Sequence, residues 1–169
     1  KNNCLGEIRL SVPGKHNISN ALAAVASAIE AGLEFNEISQ ALAKFSGMKK
    51  RFQTVGYANG ARLIDDYAHH PDEIRASIEA LKETYPNKKI TVLFQPHLFS
   101  RTKKLFDNFI DSLLLADEIY LLPIYAAREA NDPDISSKKL VQKMRELDKG
   151  NKEIDYFDNF KKAAEEIRK

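Results

Sequence analysis

Apolar and polar residues alternate over 5–12, from Leu5 to Val12, with the period of a half-buried strand, and Pro13-Gly14 ends the run. An alanine-rich stretch over 17–31 follows, whose pattern predicts a long helix stopped at Gly32; its small side chains allow close packing. A second helix is predicted over 36–45, capped by Asn36 and stopped by Ser46-Gly47. The basic triplet Lys49-Lys50-Arg51 then interrupts the pattern, and the domain boundary is placed there, separating 1–50 from 51–169.

Two short apolar runs, 53–58 and 61–65, flank Asn59-Gly60, the strongest hairpin signal in the chain. Thereafter helices and strands alternate. Helices are predicted over 71–85, 101–115, 136–147 and 159–168, and strands over 90–94, 118–122 and 154–157. Such alternation predicts an α/β domain whose mostly parallel sheet is joined by right-handed crossovers and flanked by helices. The longest irregular stretch, 123–134, carries Tyr125, Arg128, Glu129, Asp132 and Asp134, and long loops in compact domains often serve function.

In a parallel sheet, ligands gather beyond the carboxyl ends of the strands. Three polar sets are expected at that edge: 65–70, then Gln95 to His97 with Ser100 and Arg101, then Tyr125 with Arg128 and Glu129. The first set is the densest, with Asp65, Asp66, Tyr67, His69 and His70 compressed into the turn before Pro71, a residue suited to the first position of a helix. Helix starts at Pro71 and near Ser100 are expected to offer N–H groups to anions. Plainer roles stand beside these. His70 equally fits a helix cap, Asp65 and Asp66 fit turn capping, and Lys49 to Arg51 fits a solvated surface. Asn17 and Asn20, spaced i and i+3, share one helical face and suit a purine edge, although Asn17 also suits a cap.

Composition narrows the classes. Hydrophobic residues make up 43% and charged residues 30%, as in globular proteins, and no apolar run approaches the roughly 18 residues of a membrane span. With 26 basic and 24 acidic residues the formal charge is +2, too little to draw a polyanion, so neither nucleic acid nor a membrane is expected as partner. Residues 1–6 show no signal region, and the lone Cys4 excludes an internal disulfide; both fit a cytoplasmic setting. No G-x-x-x-x-G-K-[ST] phosphate loop occurs, so any nucleotide site is at most half a site.

Four motifs in consistent order, the run from Gly14 to Ala24, Gly47 to Phe52, Asp65 to Pro71, and Phe94 to Thr102, together resemble the Mur ligases over nearly the whole chain. The resemblance implies that 1–50 ends a central ATPase domain and that 51–169 is the Rossmann-like carboxyl-terminal domain. It further implies an ATP-dependent amide ligase of cell-wall precursor synthesis, which joins L-alanine to UDP-N-acetylmuramate through an acyl phosphate, with Mg²⁺ offsetting phosphate charge. Carried over by motif, Asn17 and Asn20 meet adenine, Asp66 the ribose and Arg51 the phosphates. Tyr67, His69, His97 and Arg101 surround the amino acid and the reacting carboxylate, with His69 and Arg101 as the catalytic pair.

Two positions depart from the family pattern: Leu98 stands where many members have arginine, and Arg128 where glycine is usual. The chain also lacks the phosphate loop and a sugar-nucleotide domain, and stops before the last strand segment the resemblance implies. It is therefore expected to be an excised carboxyl-terminal portion, inactive alone. Two alternatives stay open at this point. Asp65, Asp66, His69, His70 and His97 are the residue types of a metal-dependent phosphohydrolase, and a non-catalytic nucleotide-binding module fits the missing phosphate loop.

Overall fold

Gly14, at φ 100°, turns the chain into helix α1 (Lys15–Glu30), a conformation that glycine adopts without a Cβ penalty. The computed structural model describes residues 4–167. Contacts divide the chain into two units, Lys1–Tyr67 and Ala68–Lys169, and each is described separately.

In the first unit, α1 buries Ala21 and Val25, one turn apart, and pairs with α2 (Phe35–Lys44), which buries Ile38. Asn36 lies inside α2 and does not cap it. The N-cap is Glu34, extended at φ −77° and ψ 142°, whose carbonyl accepts from the N–H groups of Glu37 and Ile38. The strand expected over 5–12 is absent: those residues form no ladder. Alternation describes a half-buried extended segment, but a strand also needs a partner edge. This segment lies beside α2 instead, where Ser39 Oγ donates to Glu7 O at 3.3 Å and Ser11 Oγ donates to Ala43 O at 2.9 Å.

The hairpin forms as the Asn59-Gly60 signal predicts. Strands β1 (Gln53–Ala58) and β2 (Ala61–Asp65) pair antiparallel, and both turn residues take positive φ, 49° and 79°. Before it, Gly47, Lys50 and Phe52 also have positive φ. Lys50 N–H donates to Gln53 Oε1 at 2.9 Å, and Tyr67 N–H donates to Lys50 O at 2.7 Å, tying the far end of the hairpin back to its entry. The contact units part after Tyr67.

The second unit is α/β, as expected. It runs α3 (Pro71–Thr84), β3 (Thr91–Phe94), α4 (Phe99–Lys104), α5 (Phe106–Leu113), β4 (Glu118–Leu121), α6 (Ser137–Asp148), β5 (Glu153–Tyr156) and α7 (Phe160–Ile167). The strands form one parallel sheet in the order β3-β4-β5, in register from Thr91↔Glu118↔Glu153 onward. Central β4 buries Ile119, Tyr120 and Leu121 in succession, the mark of a strand covered on both faces. Around it pack Ile74 and Ile78 of α3, Phe109, Ile110 and Leu113 of α5, and Leu140, Val141 and Met144 of α6. At about 25 cal/mol per Å² of apolar area, this burial is the main favourable term of the unit.

Two expectations are corrected here, and a third reaches past the described residues. The helix expected over 101–115 is two helices meeting at Leu105, at φ −112° and ψ 27°. The i to i−4 bonds of Leu105 and Phe109 persist on either side, so the break is a bend. Among the described residues β1 and β2 make a two-stranded sheet of their own, so only two of the three polar sets follow strands of the parallel sheet. The last helix, expected to reach Arg168, is seen to Ile167, and Arg168 lies outside the described residues.

Candidate functional site

The turn into α3 is held by its own side chains. Proline at the first helical position has no N–H to satisfy and a φ already suited to the helix. His70 is the N-cap: its Nδ1 accepts from Asp72 N–H at 3.3 Å, which requires a lone pair on that nitrogen. Glu73 closes the reciprocal box, with Oε2 accepting from His70 N–H at 3.2 Å and from His69 N–H at 2.9 Å. The same oxygen lies 3.3 Å from His69 Nδ1, which orients that ring. The sequence left His70 open between cap and site; the structure makes it a cap. The spacing His70-x-x-Glu73 is that of a capping box.

The second cluster follows β3. His97 and Tyr125 form a parallel bridge, in which Tyr125 N–H donates to Pro96 O at 2.8 Å and Leu98 N–H donates to Tyr125 O at 2.9 Å. Their rings lie 5.5 Å apart at 30°. Leu98, at φ 73° and ψ 130°, turns the chain sharply into α4, a backbone conformation that costs a non-glycine residue about 1–3 kcal/mol and persists only where its surroundings enforce it. Thr102, fully buried, donates from both N–H and Oγ1 to Leu98 O, at 3.1 and 2.8 Å.

The start of α4 was expected to offer N–H groups to an external anion. Glu129 already occupies it. Its Oε2 accepts from Ser100 N–H at 3.0 Å and its Oε1 accepts from the Ser100 hydroxyl. The hydroxyl first, then the backbone N–H, holds the Glu129 carboxyl below its ordinary value. Further along the same loop, Asp132 and Asp134 each lie 3.0 Å from Lys103 Nζ. Asp132 is held below its ordinary range by Asp134 N–H and then by Lys103, while Lys103 is raised, by Asp132 first. Loop 123–134 therefore grips α4 at both ends, between which lies Arg101. Arg101 Nη1 is buried and has no hydrogen-bond partner among the described residues. A buried cationic donor without a partner costs free energy unless a ligand supplies the acceptor.

In the first unit, Asn17 sits inside the first turn of α1 and is not its cap. Its Nδ2 donates to Pro13 O at 2.6 Å, while its Oδ1 accepts from Asn20 Nδ2 at 3.4 Å, so the two amides do share a face. The Arg51 guanidinium lies 5.5 Å from the centre of the Tyr67 ring. Asp66 is half-buried, directly after β2.

Among the described residues, no three His, Cys, Asp or Glu side chains converge where they could hold a metal ion. His70 spends Nδ1 on the helix start, and His69 Nδ1 faces Glu73. The phosphohydrolase alternative is not supported. A groove of about 460 Å³ beside Lys138, Arg145, Asp155 and Tyr156 contains none of the candidate residues; Arg145 and Asp155 pair across it at 3.0 Å. No helix of the described residues is long and apolar enough to cross a membrane.

Comparison with known proteins agrees with the motifs. The family described as Mur ligase, glutamate ligase domain, matches residues 50–169. The UDP-N-acetylmuramate--L-alanine ligase of Agathobacter rectalis is 47% identical over 165 residues, 98% of this chain and 34% of that protein. Its counterpart in Solidesulfovibrio magneticus is 43% identical over 156 residues, 92% of this chain and 34% of that protein. Among solved structures, the UDP-N-acetylmuramate-alanine ligase MurC of Thermotoga maritima aligns with TM-score 0.74 and 33% identity, covering 95% of this chain and 33% of that one. The chain thus spans about a third of the length of these relatives. With the family matched across the parallel-sheet unit and the hairpin before it, the chain belongs to the Mur ligase family.

Proposed function

We propose that this chain is the carboxyl-terminal portion of an ATP-dependent ligase that joins L-alanine to UDP-N-acetylmuramate in the cytoplasm. Residues 1–50 would end a central ATPase domain and 51–169 would form the carboxyl-terminal domain. The relatives above carry that activity in their names. The observation that carries the reading is Arg101: a cation with a buried donor atom lacking a partner, on a short helix whose own start is already satisfied by Glu129. Such a group suits the carboxylate of an incoming amino acid, where charge-assisted and bidentate contacts are strongest.

The chemistry follows from the electrophile. A carboxylate resists attack by an amine until one oxygen becomes a leaving group; transfer of a phosphoryl group from ATP supplies that. The amine must then lose a proton as the tetrahedral intermediate forms and collapses to amide and phosphate. His69, its ring oriented by Glu73, is assigned to take that proton. His97 and Tyr67 are assigned to the amino acid and the reacting carboxylate. Asn17 and Asn20 are assigned to adenine, Asp66 to the ribose hydroxyls and Arg51 to the phosphates. Mg²⁺ would screen the phosphates during transfer, but the described residues supply no donor set for it, so the ion is assigned to parts of the enzyme outside this chain.

The test is phosphate release by the full-length enzyme with ATP, Mg²⁺ and UDP-N-acetylmuramate, with and without L-alanine. Release should require both the sugar nucleotide and the amino acid, and Arg101→Ala should raise KM for L-alanine far more than KM for ATP. Release indifferent to the amino acid would overturn the reading.

A further inference from the structure

We infer that Glu129 is a positioning residue for amino-acid binding: its carboxylate fixes the first turn of α4 and thereby sets where Arg101 points. The inference rests on the assignment of Arg101 to the amino acid's carboxylate.

Helix α4 has six residues, too few to hold a helical position by propensity alone. It starts at Leu98 with positive φ and no side-chain cap of its own, and it ends at the bend of Leu105. Its placement must come from outside, and one loop supplies it. The Tyr125 backbone bonds both Pro96 and Leu98, fixing His97 between them. Glu129 then takes both the N–H and the hydroxyl of Ser100, the residue immediately before Arg101. Glu129 N–H itself donates to Ala126 O at 2.9 Å, so the carboxylate projects from a closed turn, helped by Ala127 at φ 53°. Lys103, on the other side of Arg101, is held to Asp132 and Asp134, but Lys103 is half exposed and Asp134 largely so, and surface pairs of this kind contribute little. The Glu129 bonds are the ones adjacent to Arg101, and both involve an ionised acceptor, which shortens and strengthens them. The depressed Glu129 carboxyl agrees with that geometry.

Without Glu129, the first turn of α4 loses the acceptor of one backbone and one hydroxyl donor, and Arg101 loses its fixed origin. Loss of orientation in a binding cation appears in the affinity for the group it holds, and misplacement of about 1 Å can cost up to roughly 100-fold.

The experiment compares Glu129→Ala, Glu129→Gln and Arg101→Ala in the full-length enzyme, with KM measured separately for L-alanine, ATP and UDP-N-acetylmuramate. Glu129→Ala should raise KM for L-alanine roughly tenfold or more while the other two KM values stay within about twofold. Glu129→Gln keeps one amide oxygen for a Ser100 donor and should recover part of the loss. If Arg101→Ala raises KM for L-alanine but Glu129→Ala lowers only kcat, or all three affinities alike, Glu129 merely stabilises the fold and the inference is overturned while the Arg101 assignment stands. If Arg101→Ala leaves KM for L-alanine unchanged, the assignment falls and the inference falls with it. Should Glu129→Ala fail to fold, Glu129→Asp decides, because its shorter side chain withdraws the carboxylate from both Ser100 donors: a selective rise in KM for L-alanine supports positioning, and none overturns it.

Discussion

Replacing Arg101 by methionine should make this chain more stable while disabling the enzyme it belongs to. Methionine keeps an unbranched apolar stem and removes the guanidinium, whose Nη1 is buried without an acceptor among the described residues. A buried donor left unsatisfied costs about 1–3 kcal/mol. Arg101 as a whole is only half-buried, so the low end applies and the gain should be about 1 kcal/mol. For a unit of about 100 residues this corresponds to a rise of roughly 4–8 °C in Tm. Circular dichroism during heating and in urea, at matched ionic strength, measures both. In the full-length enzyme the same change removes a charge-assisted contact to substrate worth about 1.5–3 kcal/mol, which is roughly 10- to 150-fold in kcat/KM for L-alanine. A variant less stable than the parent by 1 kcal/mol would refute the reasoning, since it would mean that the guanidinium already makes a favourable contact and is not held in reserve for a ligand.

Other outcomes follow from the same bonds. His70→Ala should cost about 1 kcal/mol as a lost helix cap, and Glu73→Ala more, because its Oε2 serves the N–H groups of both His69 and His70; urea midpoints give the order. Ser137→Ala should cost about 1–3 kcal/mol, since Ser137 is buried and its hydroxyl bonds Leu122 O at 2.6 Å; thermal unfolding checks it against the milder loss expected for the N-cap change Ser136→Ala. The carboxyl of Glu129 has a folded pKa below the unfolded value of 4.5, so its contribution is full above pH 4.5 and is lost as pH falls through the lower, folded value. Nuclear magnetic resonance of the Ser100 amide should report that loss, and a change already complete above pH 4.5 would contradict it.

Features set by one or two adjacent residues were legible in the sequence. Asn59-Gly60 demands positive φ at two successive positions, and Pro71 fixes its own φ, so hairpin and helix start both lay where expected. Features that depend on a distant partner were not. The alternation over 5–12 carries no information about whether a neighbouring strand exists, and here α2 takes its place. Leu105 bends a helix whose apolar stripe continues unbroken through Phe106, Phe109 and Ile110, so periodicity gave no warning. Ser100 and Glu129 lie far apart in sequence, and nothing local tells that the carboxylate of one satisfies the helix start of the other. Residue types at the candidate site were legible from motifs; which of them serve as scaffolding was not, as His70 illustrates.

The order of strands along the chain also governs when each part can form. The hairpin closes across two turn residues, a contact reached within microseconds. The parallel sheet has no such local route: β3 cannot meet β4 until 95–117 has folded back, and β4 cannot meet β5 until 122–152 has done so. Non-local closure of this kind is slow. During synthesis the first unit emerges early, while β4, apolar on both faces, waits with one edge uncovered until β5 arrives. The loop that grips α4 lies within that last crossover, so the arrangement around Arg101 should be among the latest parts of the molecule to acquire its shape, and truncation before Glu153 should leave a chain that aggregates through β4.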